Sequence, residues 1–380
     1  VSVPGPRVPL GPAARLSGVD GLRAAAALWV VLFHMHAFSG ARVPVPGVDL
    51  FLRSGSIGVS LFLVLSGFCL YRPFAGGRTA RFSARAFFVR RGRRLLPAYL
   101  TSLVCVLAVG LSVGDRFGLE RLDAGQALWQ AVTHLTLTHS LFPSTFYALN
   151  GAYWSLGLEW QLYLGLPLLI LGTRRFGLVR TVAVVVGVNV ADRLLLATAI
   201  AHHVVPSASL LASAVLPNQL PGRWAEFAFG MVAAELHVTG RVGAWRRPAR
   251  VAAVALVPIS IAAVGTALSH LLFGAVFLAL LVEVLAGDSV VSRVFSWRPL
   301  VAVGTMSYSL YLVHQPIVQG LAHVLRSAGA SPRTTFALLL LALAPILLVA
   351  RLLFVTVERR TLSAETRPRT ETAVPAPVAA

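Results

Sequence analysis

Long apolar runs, too poor in charge to coat a soluble globule, decide what this chain can become. Hydrophobic residues make up 57% of it, charged residues only 12%, and mean hydropathy is +0.77. A soluble domain carries about 25% charged residues, so the surface left without polar cover has to face lipid. A helix crosses the hydrocarbon core with ~20 mainly apolar residues. Runs of this kind lie at about 20–39, 55–73, 95–114, 152–172, 178–201, 223–239, 249–268, 270–287, 301–325 and 334–357. They predict an all-α fold, a polytopic transmembrane bundle of about ten helices, with a tight hairpin near Ser269 and His270. The expected organisation is one membrane domain over 16–360 between disordered tails at 1–15 and 361–380. The N-terminus lacks an apolar signal core, so the first run is read as a retained helix.

Arginine sets the orientation. The formal net charge of +19 would suit a nucleic-acid binder, but the basic residues sit in short loops between apolar runs, so no nucleic-acid partner is expected. All 33 basic residues are Arg, a composition that fits a GC-rich bacterial gene. Short cytoplasmic loops carry excess Arg and Lys. One set of loops holds Arg72, Arg78, Arg81, Arg85 and the Arg90–Arg94 group, then Arg174, Arg175, Arg180, Arg241, Arg246, Arg247, Arg250, Arg293, Arg298, Arg359 and Arg360. The opposite set is poorer. This predicts a multi-pass plasma (inner) membrane protein with both termini cytoplasmic. The long outward loop from Asp115 to Asn150 has room for an interfacial helix over Ala127–Leu141.

Ionisable side chains at membrane depth are costly and mark function by default. Arg23 and His34 stand eleven residues apart, three helical turns plus ~20°, on one face and ~16 Å apart along the axis. An imidazole there can serve as general base; a satisfied structural histidine is the plainer reading, and the one given to His36. In the fourth run Ser155, Glu159 and Tyr163 recur every four positions behind Trp154, with Asn150 as N-cap. In the ninth, Ser307, Tyr311 and His314 share a face and Pro316 predicts a kink near Leu312. Arg223 and Glu226 are spaced to pair with each other. Asp192 and Arg193 interrupt the fifth run. Arg90, Arg91, Arg93 and Arg94 lie in a basic loop at the mouth of the third run, where guanidinium suits phosphate. Cys69 and Cys105 read as buried free thiols, and no metal-ligand pattern is read.

Together these pieces resemble the acyltransferase 3 family of integral membrane O-acyltransferases, from about Leu16 to Arg360. The resemblance is carried by Arg23 and His34 as its Arg-x10-His signature, Gly58–Phe68, the Arg-x-x-Arg motif within Arg90–Pro97, Trp154–Glu159 with Tyr163, Arg223–Phe227 with Gly230, and Ser307–His314. Leu162 departs from the pattern, in which an aromatic commonly precedes the Tyr. Many polysaccharide-modifying relatives also carry a C-terminal esterase-like domain, and a stand-alone form is expected here.

The resemblance implies transfer of an acetyl or other short acyl group from acyl-CoA to a hydroxyl of a glycan or glycosylated natural product, with no tightly bound cofactor. It implies that Arg23 and His34 are essential and that Arg90, Arg91, Arg93 and Arg94 bind the donor. His34 is then expected to deprotonate the acceptor or relay the acyl group, with Glu159 orienting it. Trp154, Ser155, Tyr163, Tyr311 and His314 are expected to contact substrate. The rival reading is a secondary transporter for a small anion; it would lead one to expect internal repeats, and the halves of this sequence show no correspondence.

Overall fold

The structure, a computed structural model, describes residues 16–77, 81–119, 121–266 and 268–361. Both expected tails (apart from Thr361) and Arg78 lie outside these residues. Helices α1 (Ser17–Ser39), α2 (Pro46–Arg53), α3 (Gly58–Tyr71) and α4 (Ala84–Ser112) come first. Next, α5 (Ala124–Leu135) and α6 (Pro143–Phe146) fold within the long loop. The middle of the chain forms α7 (Trp154–Phe176), α8 (Leu178–Ala201), α9 (Leu220–Val238), α10 (Val242–Ala262) and α11 (Ser269–Ala286). The last part forms α12 (Val290–Phe295), α13 (Arg298–Thr305), α14 (Ser307–Ser327), α15 (Pro332–Leu341) and α16 (Leu343–Leu353). No strand occurs among the described residues.

Among the described residues, six helical stretches are long and apolar enough to cross a membrane: Ser17–Ser39, Gly55–Phe74, Ala84–Ser112, Gly151–Phe176, Leu178–Ala201 and Ser269–Ala286. Pro332–Leu341 and Leu343–Thr361, bent by 43°, make a seventh if taken as one span. The remaining predicted runs fall on α9, α10 and α13–α14. Charged and polar residues such as Arg223, Glu226, Arg246 and Gln315 hold these below the same standard.

The outer helices are built inside out. The buried residues of α8 are Thr181, Val185, Asn189 and Arg193, four apart and mostly polar, while Val179 is 82% and Leu195 71% exposed. A polar stripe turned inward and an apolar face turned outward is the arrangement lipid demands. The inward charges find partners. Arg193 donates to the carbonyls of Pro217 (2.8 Å) and Gly222 (2.5 Å), beside the N-terminus of α9. Arg223 and Glu226 pair as their spacing predicts, with two bonds of 2.7 and 2.9 Å. Arg223 also reaches Ser60 at 3.1 Å, tying α9 to α3.

At the centre, α1 packs on α3, α13 and α14, and α3 crosses α9. The α3–α9 crossing is close because two glycines meet it from opposite sides. A Cβ on Gly67 would lie 2.0 Å from the Phe227 carbonyl oxygen, and one on Gly230 would lie 2.0 Å from that of Val64. Small residues that let backbones touch are a common means of helix association in lipid. The Pro316 position in α14 is also accommodated by packing. Proline leaves the carbonyl four residues earlier without its helical donor, and the Leu312 carbonyl instead accepts from Asn150 Nδ2 (2.8 Å) and Ser102 Oγ (3.2 Å).

The expected interfacial helix is α5, capped by a reciprocal Asp123–Gln126 box. Leu128, Val132 and Leu135 line one exposed face at helical spacing, which suits the membrane interface. Its other side buries His134, whose ring stacks on His139 with centroids 4.3 Å apart and planes 7° apart. Burial, reinforced by His139, pulls the His134 imidazole down to about 3, and burial draws His139 below the ordinary value.

Two predictions follow from this packing. Gly230→Ala should lower the melting temperature of the purified protein, at a cost of about 1–3 kcal/mol for forced overpacking. Gly187→Ala, where a Cβ meets nothing within 4 Å, should not, and equal melting temperatures for the two variants would contradict the close crossing. The histidine pair binds fewer protons folded than unfolded between pH ~3 and ~6.5, so its contribution rises with pH in that window. Stability should be full above about pH 6.5 and fall as the solution is acidified. The loss in melting temperature between about pH 7.5 and pH 5 should shrink in the His134→Gln/His139→Gln protein; an undiminished loss would remove the pair as its cause.

Candidate active site

A cavity of about 1080 Å³, counting its open mouth, lies between the first turns of α1, α7 and α14, α3 along its length, and the arginine turns of α4. Arg23, Arg91, Arg94, Ser155, Glu159, Tyr163 and Tyr311 all line it. So do Asp20, Cys69, Tyr308 and Glu358, which sequence reasoning did not single out as site residues. Among the described residues, no group of three or more His, Cys, Asp or Glu is placed to hold a metal ion.

The arginines do not sit in a loop as expected. Ser83 caps a helix, its hydroxyl accepting from the Ala86 amide at 3.4 Å, and α4 runs from Ala84 without a break through all of them. The helix then sorts them by face. Arg91 and Arg94, three apart, point into the cavity; Arg90 lines a neighbouring groove; Arg93 is exposed and lines neither. No ion pair engages Arg91 or Arg94 among the described residues. Arg91 rests against the Phe87 ring at 5.9 Å, and its shielded Nε has no hydrogen-bond partner among the described residues.

Arg23 is held more firmly. It donates to Asp20 Oδ1 at 2.9 Å, one turn back on α1, and to Cys69 Sγ at 3.2 Å on α3. Both cysteines are free thiols, but neither is buried as expected: Cys69 is half-buried and Cys105 lies exposed on α4. The other two carboxylates of the cavity are bonded by hydroxyls. Tyr163 donates to Glu159 one turn away on α7, and Ser309 donates to Glu358 at 2.6 Å. Three guanidiniums thus face three carboxylates, and the two on α4 are the uncommitted ones.

The deep end of the cavity is made of hydroxyls. Tyr311 donates to the Ala152 carbonyl at 2.9 Å, which leaves its oxygen to accept from Ser155 at 2.6 Å. Phe62 packs edge-on against the Tyr311 ring and also lines the cavity. Trp154 does not line it; it stacks on Phe146 and lies under Arg223.

His34 and His314 lie one layer further along α1 and α14, and neither lines the cavity. The His314 ring packs against Tyr311, with centroids 5.6 Å apart. His314 Nδ1 faces only carbonyl oxygens, of Tyr311 at 2.9 Å and Leu310 at 3.1 Å, so it carries the proton. Its Nε2 is then an acceptor, and it lies 3.2 Å from His34 Nδ1, which also faces the Val30 carbonyl at 2.9 Å. His34 Nδ1 is therefore the protonated nitrogen, and its Nε2 keeps a lone pair with no partner among the described residues. The expected contact between Glu159 and His34 is absent: Glu159 is taken by Tyr163, and His314 is the group that orients His34. Nothing in the sequence signalled that pairing beyond each histidine's place on a polar helix face. His36 instead lies against Asp49, with its Nε2 3.2 Å from Oδ1.

From end to end the polar groups follow one path through the bundle. Free guanidiniums stand at the mouth, a hydrogen-bonded carboxylate in the middle, paired hydroxyls at the inner wall, and beyond it an imidazole with an open basic nitrogen. Such an arrangement can hold an anionic ligand by its phosphates and place a basic nitrogen beyond the deep end of that ligand's site.

Known proteins resemble the chain along most of its length. The family model described as an acyltransferase domain matches residues 16–355. Bacillus subtilis (strain 168) YrhL, whose name proposes a peptidoglycan O-acetyltransferase, is 29% identical over 335 residues, 80% of this chain and 48% of the relative. The acyltransferase MdmB of Streptomyces mycarofaciens is 27% identical over 323 residues, 80% of this chain and 79% of that one. The O-acetyltransferase OatA of Staphylococcus aureus (strain NCTC 8325 / PS 47) is 28% identical over 160 residues, 41% of this chain and 24% of its own length. The chain thus spans about half of YrhL and a quarter of OatA. No solved structure matches it.

Proposed function

The chain belongs to the acyltransferase 3 family, and from that premise we propose that it is a multi-pass membrane O-acyltransferase moving an acetyl or other short acyl group from acyl-CoA to a hydroxyl. The reading rests above all on one observation: the cavity that holds the Arg23–Asp20 pair also holds two unpaired guanidiniums at its mouth. Arg91 and Arg94 offer fork-shaped donors to the phosphates of the donor. The thioester arm then extends inward past Glu159 toward Ser155 and Tyr311. By turning its proton from the Tyr311 oxygen to the thioester carbonyl oxygen, Ser155 can stabilise the charge that develops there, the usual route to a large rate effect in acyl transfer.

His34 Nε2 is the general base in this scheme. It takes the proton of the acceptor hydroxyl, while His314 fixes the tautomer that leaves this nitrogen free. Phe62 and Tyr311 stand between donor cavity and imidazole pair, so the acceptor approaches from the histidine side and meets the acyl group at this wall. Glu159 acts through Tyr163 and the charge balance of the cavity rather than through His34.

The reading places the arginine mouth in the cytoplasm of a plasma (inner) membrane protein, on the side of the Arg-rich loops. It counts α9, α10 and α13–α14 as further spans, for about ten in all, with both termini cytoplasmic. The peptidoglycan named for YrhL favours a glycan hydroxyl as acceptor; a hydroxyl on a glycosylated natural product belongs to the same chemical class.

Purified protein in lipid nanodiscs should release free CoA from acetyl-CoA only when an acceptor is present. His34→Ala should lower kcat about 10²–10⁴-fold with little change in KM for acetyl-CoA. Arg91→Gln and Arg94→Gln should raise that KM about tenfold each, the scale of a charge-assisted hydrogen bond, whereas Arg85→Gln on the exposed first turn of α4 should not. A folded His34→Ala protein working at the normal rate would rule out the base, and unchanged KM values would rule out the arginine mouth.

A further inference from the structure

Beside the arginine mouth, on the cytoplasmic side of the α3–α4 connection, a second hollow opens, about 630 Å³ with its mouth included. It shares Cys69, Leu70 and Arg91 with the main cavity, so the two are contiguous. Its walls differ in kind. Phe74, Phe82 and Phe87 form a chain of tilted rings, with centroids 5.9 and 5.5 Å apart, and Arg81 and Arg90 stand exposed beside them. Neither arginine has an ion pair among the described residues. The backbone that presents Phe74 is anchored, because the Gly76 amide donates to Glu235 on α9 at 2.8 Å.

Aromatic faces flanked by unpaired guanidiniums are what a nucleoside phosphate needs. Every base has a π-face that stacks on rings, and phosphate oxygens match arginine. A small acyl group or a pantetheine arm has no use for either. We propose that this hollow is a nucleotide subsite, which holds the 3′-phosphoadenosine end of the donor on Phe82 and its neighbours, with Arg81 and Arg90 on the 3′-phosphate. The proposal rests on the acyl-CoA reading above and extends it. With the acyl group at Ser155 and Tyr311 and the diphosphate at Arg91 and Arg94, the nucleotide emerges where the hollow begins, at Arg91. The donor is thereby recognised at the end remote from the reacting bond, and binding energy from that end holds the thioester in place.

The test uses the full chain in nanodiscs of uncharged phosphatidylcholine. It compares kcat/KM for acetyl-CoA, the 3′-dephospho thioester and acetyl-pantetheine, in the wild type and in Arg81→Gln and Phe82→Ala. The wild type should prefer acetyl-CoA over acetyl-pantetheine by at least about tenfold, and each substitution should reduce that preference by about tenfold or a sizeable part of it. Arg81→Gln should also abolish most of the discrimination against the 3′-dephospho donor. Partial misfolding lowers all rates together and leaves these ratios alone, so it cannot imitate the result. Adenosine 3′,5′-bisphosphate should compete with acetyl-CoA and leave acetyl-pantetheine transfer untouched.

Ratios unmoved by either substitution would overturn the subsite while the donor reading stands, whereas equal use of acetyl-pantetheine and acetyl-CoA by the wild type would overturn the subsite and the arginine mouth together. Variants that differ from the wild type only in nanodiscs containing phosphatidylglycerol would assign the arginines to a lipid headgroup and overturn it equally. Consumption of no thioester of any length would remove the donor reading itself, and the subsite with it.

Discussion

A guanidinium or an imidazole inside an apolar bundle has to be given a partner, because the surroundings offer no water to solvate it. Much of the interior of this protein can be read as the set of answers to that demand. Arg223 has Glu226 and Ser60; Arg193 has the carbonyls at the start of α9; Arg23 has Asp20 and Cys69; His314 has two carbonyls and His34. Each answer joins elements distant in sequence, so the polar groups fix how the helices stand while the lipid-facing residues fix little. The exceptions are the groups to which the proposed reading gives the function. Arg91, Arg94 and the Nε2 of His34 are left without partners among the described residues, and they lie at the two ends of one polar path.

Elements within one helix were legible in the sequence, because a helix turns spacing into direction. Ser155, Glu159 and Tyr163 share a face as their four-residue spacing requires, and Tyr163 bonds Glu159 across one turn. Arg223 and Glu226 pair for the same reason. An interfacial helix is expected over Ala127–Leu141, and α5 forms slightly earlier, over Ala124–Leu135. Ten apolar runs are visible too, but paired charges in α9 and α10 and polar residues in α14 lower their apolar character, so α9, α10 and α13–α14 do not stand out as spans.

Contacts across long stretches of chain could not be read. Nothing local says that His34 meets His314, 280 positions away, or that Glu358, beside two arginines that read as an anchor, turns inward to Ser309. The charge of the arginine group hides its helical character, so the sequence reads there as a loop. Ser83 followed by Ala84 and a stretch without Gly or Pro until Gly92 is a helix start in plain view. On that helix Arg91 and Arg94, three apart, share a face that Arg93 does not. The link between Glu159 and His34 failed for a related reason: a carboxylate one turn from a tyrosine is satisfied locally and has no need of a distant ring.

In the proposed reading, the division between donor cavity and imidazole pair gives the acyl group a fixed meeting point, at Ser155 and Tyr311. In that reading the donor's phosphates are held at one end by arginines with no other commitment, and a basic nitrogen waits on the far side of a wall of two side chains. An electron cryomicroscopy structure with a thioether analogue of acetyl-CoA, which cannot transfer its acyl group, tests this most directly. The account predicts the diphosphate against Arg91 and Arg94, and the acyl end at the Ser155–Tyr311 wall with His34 beyond it. An analogue bound outside the cavity, or seated with its acyl end at the arginines, would contradict it.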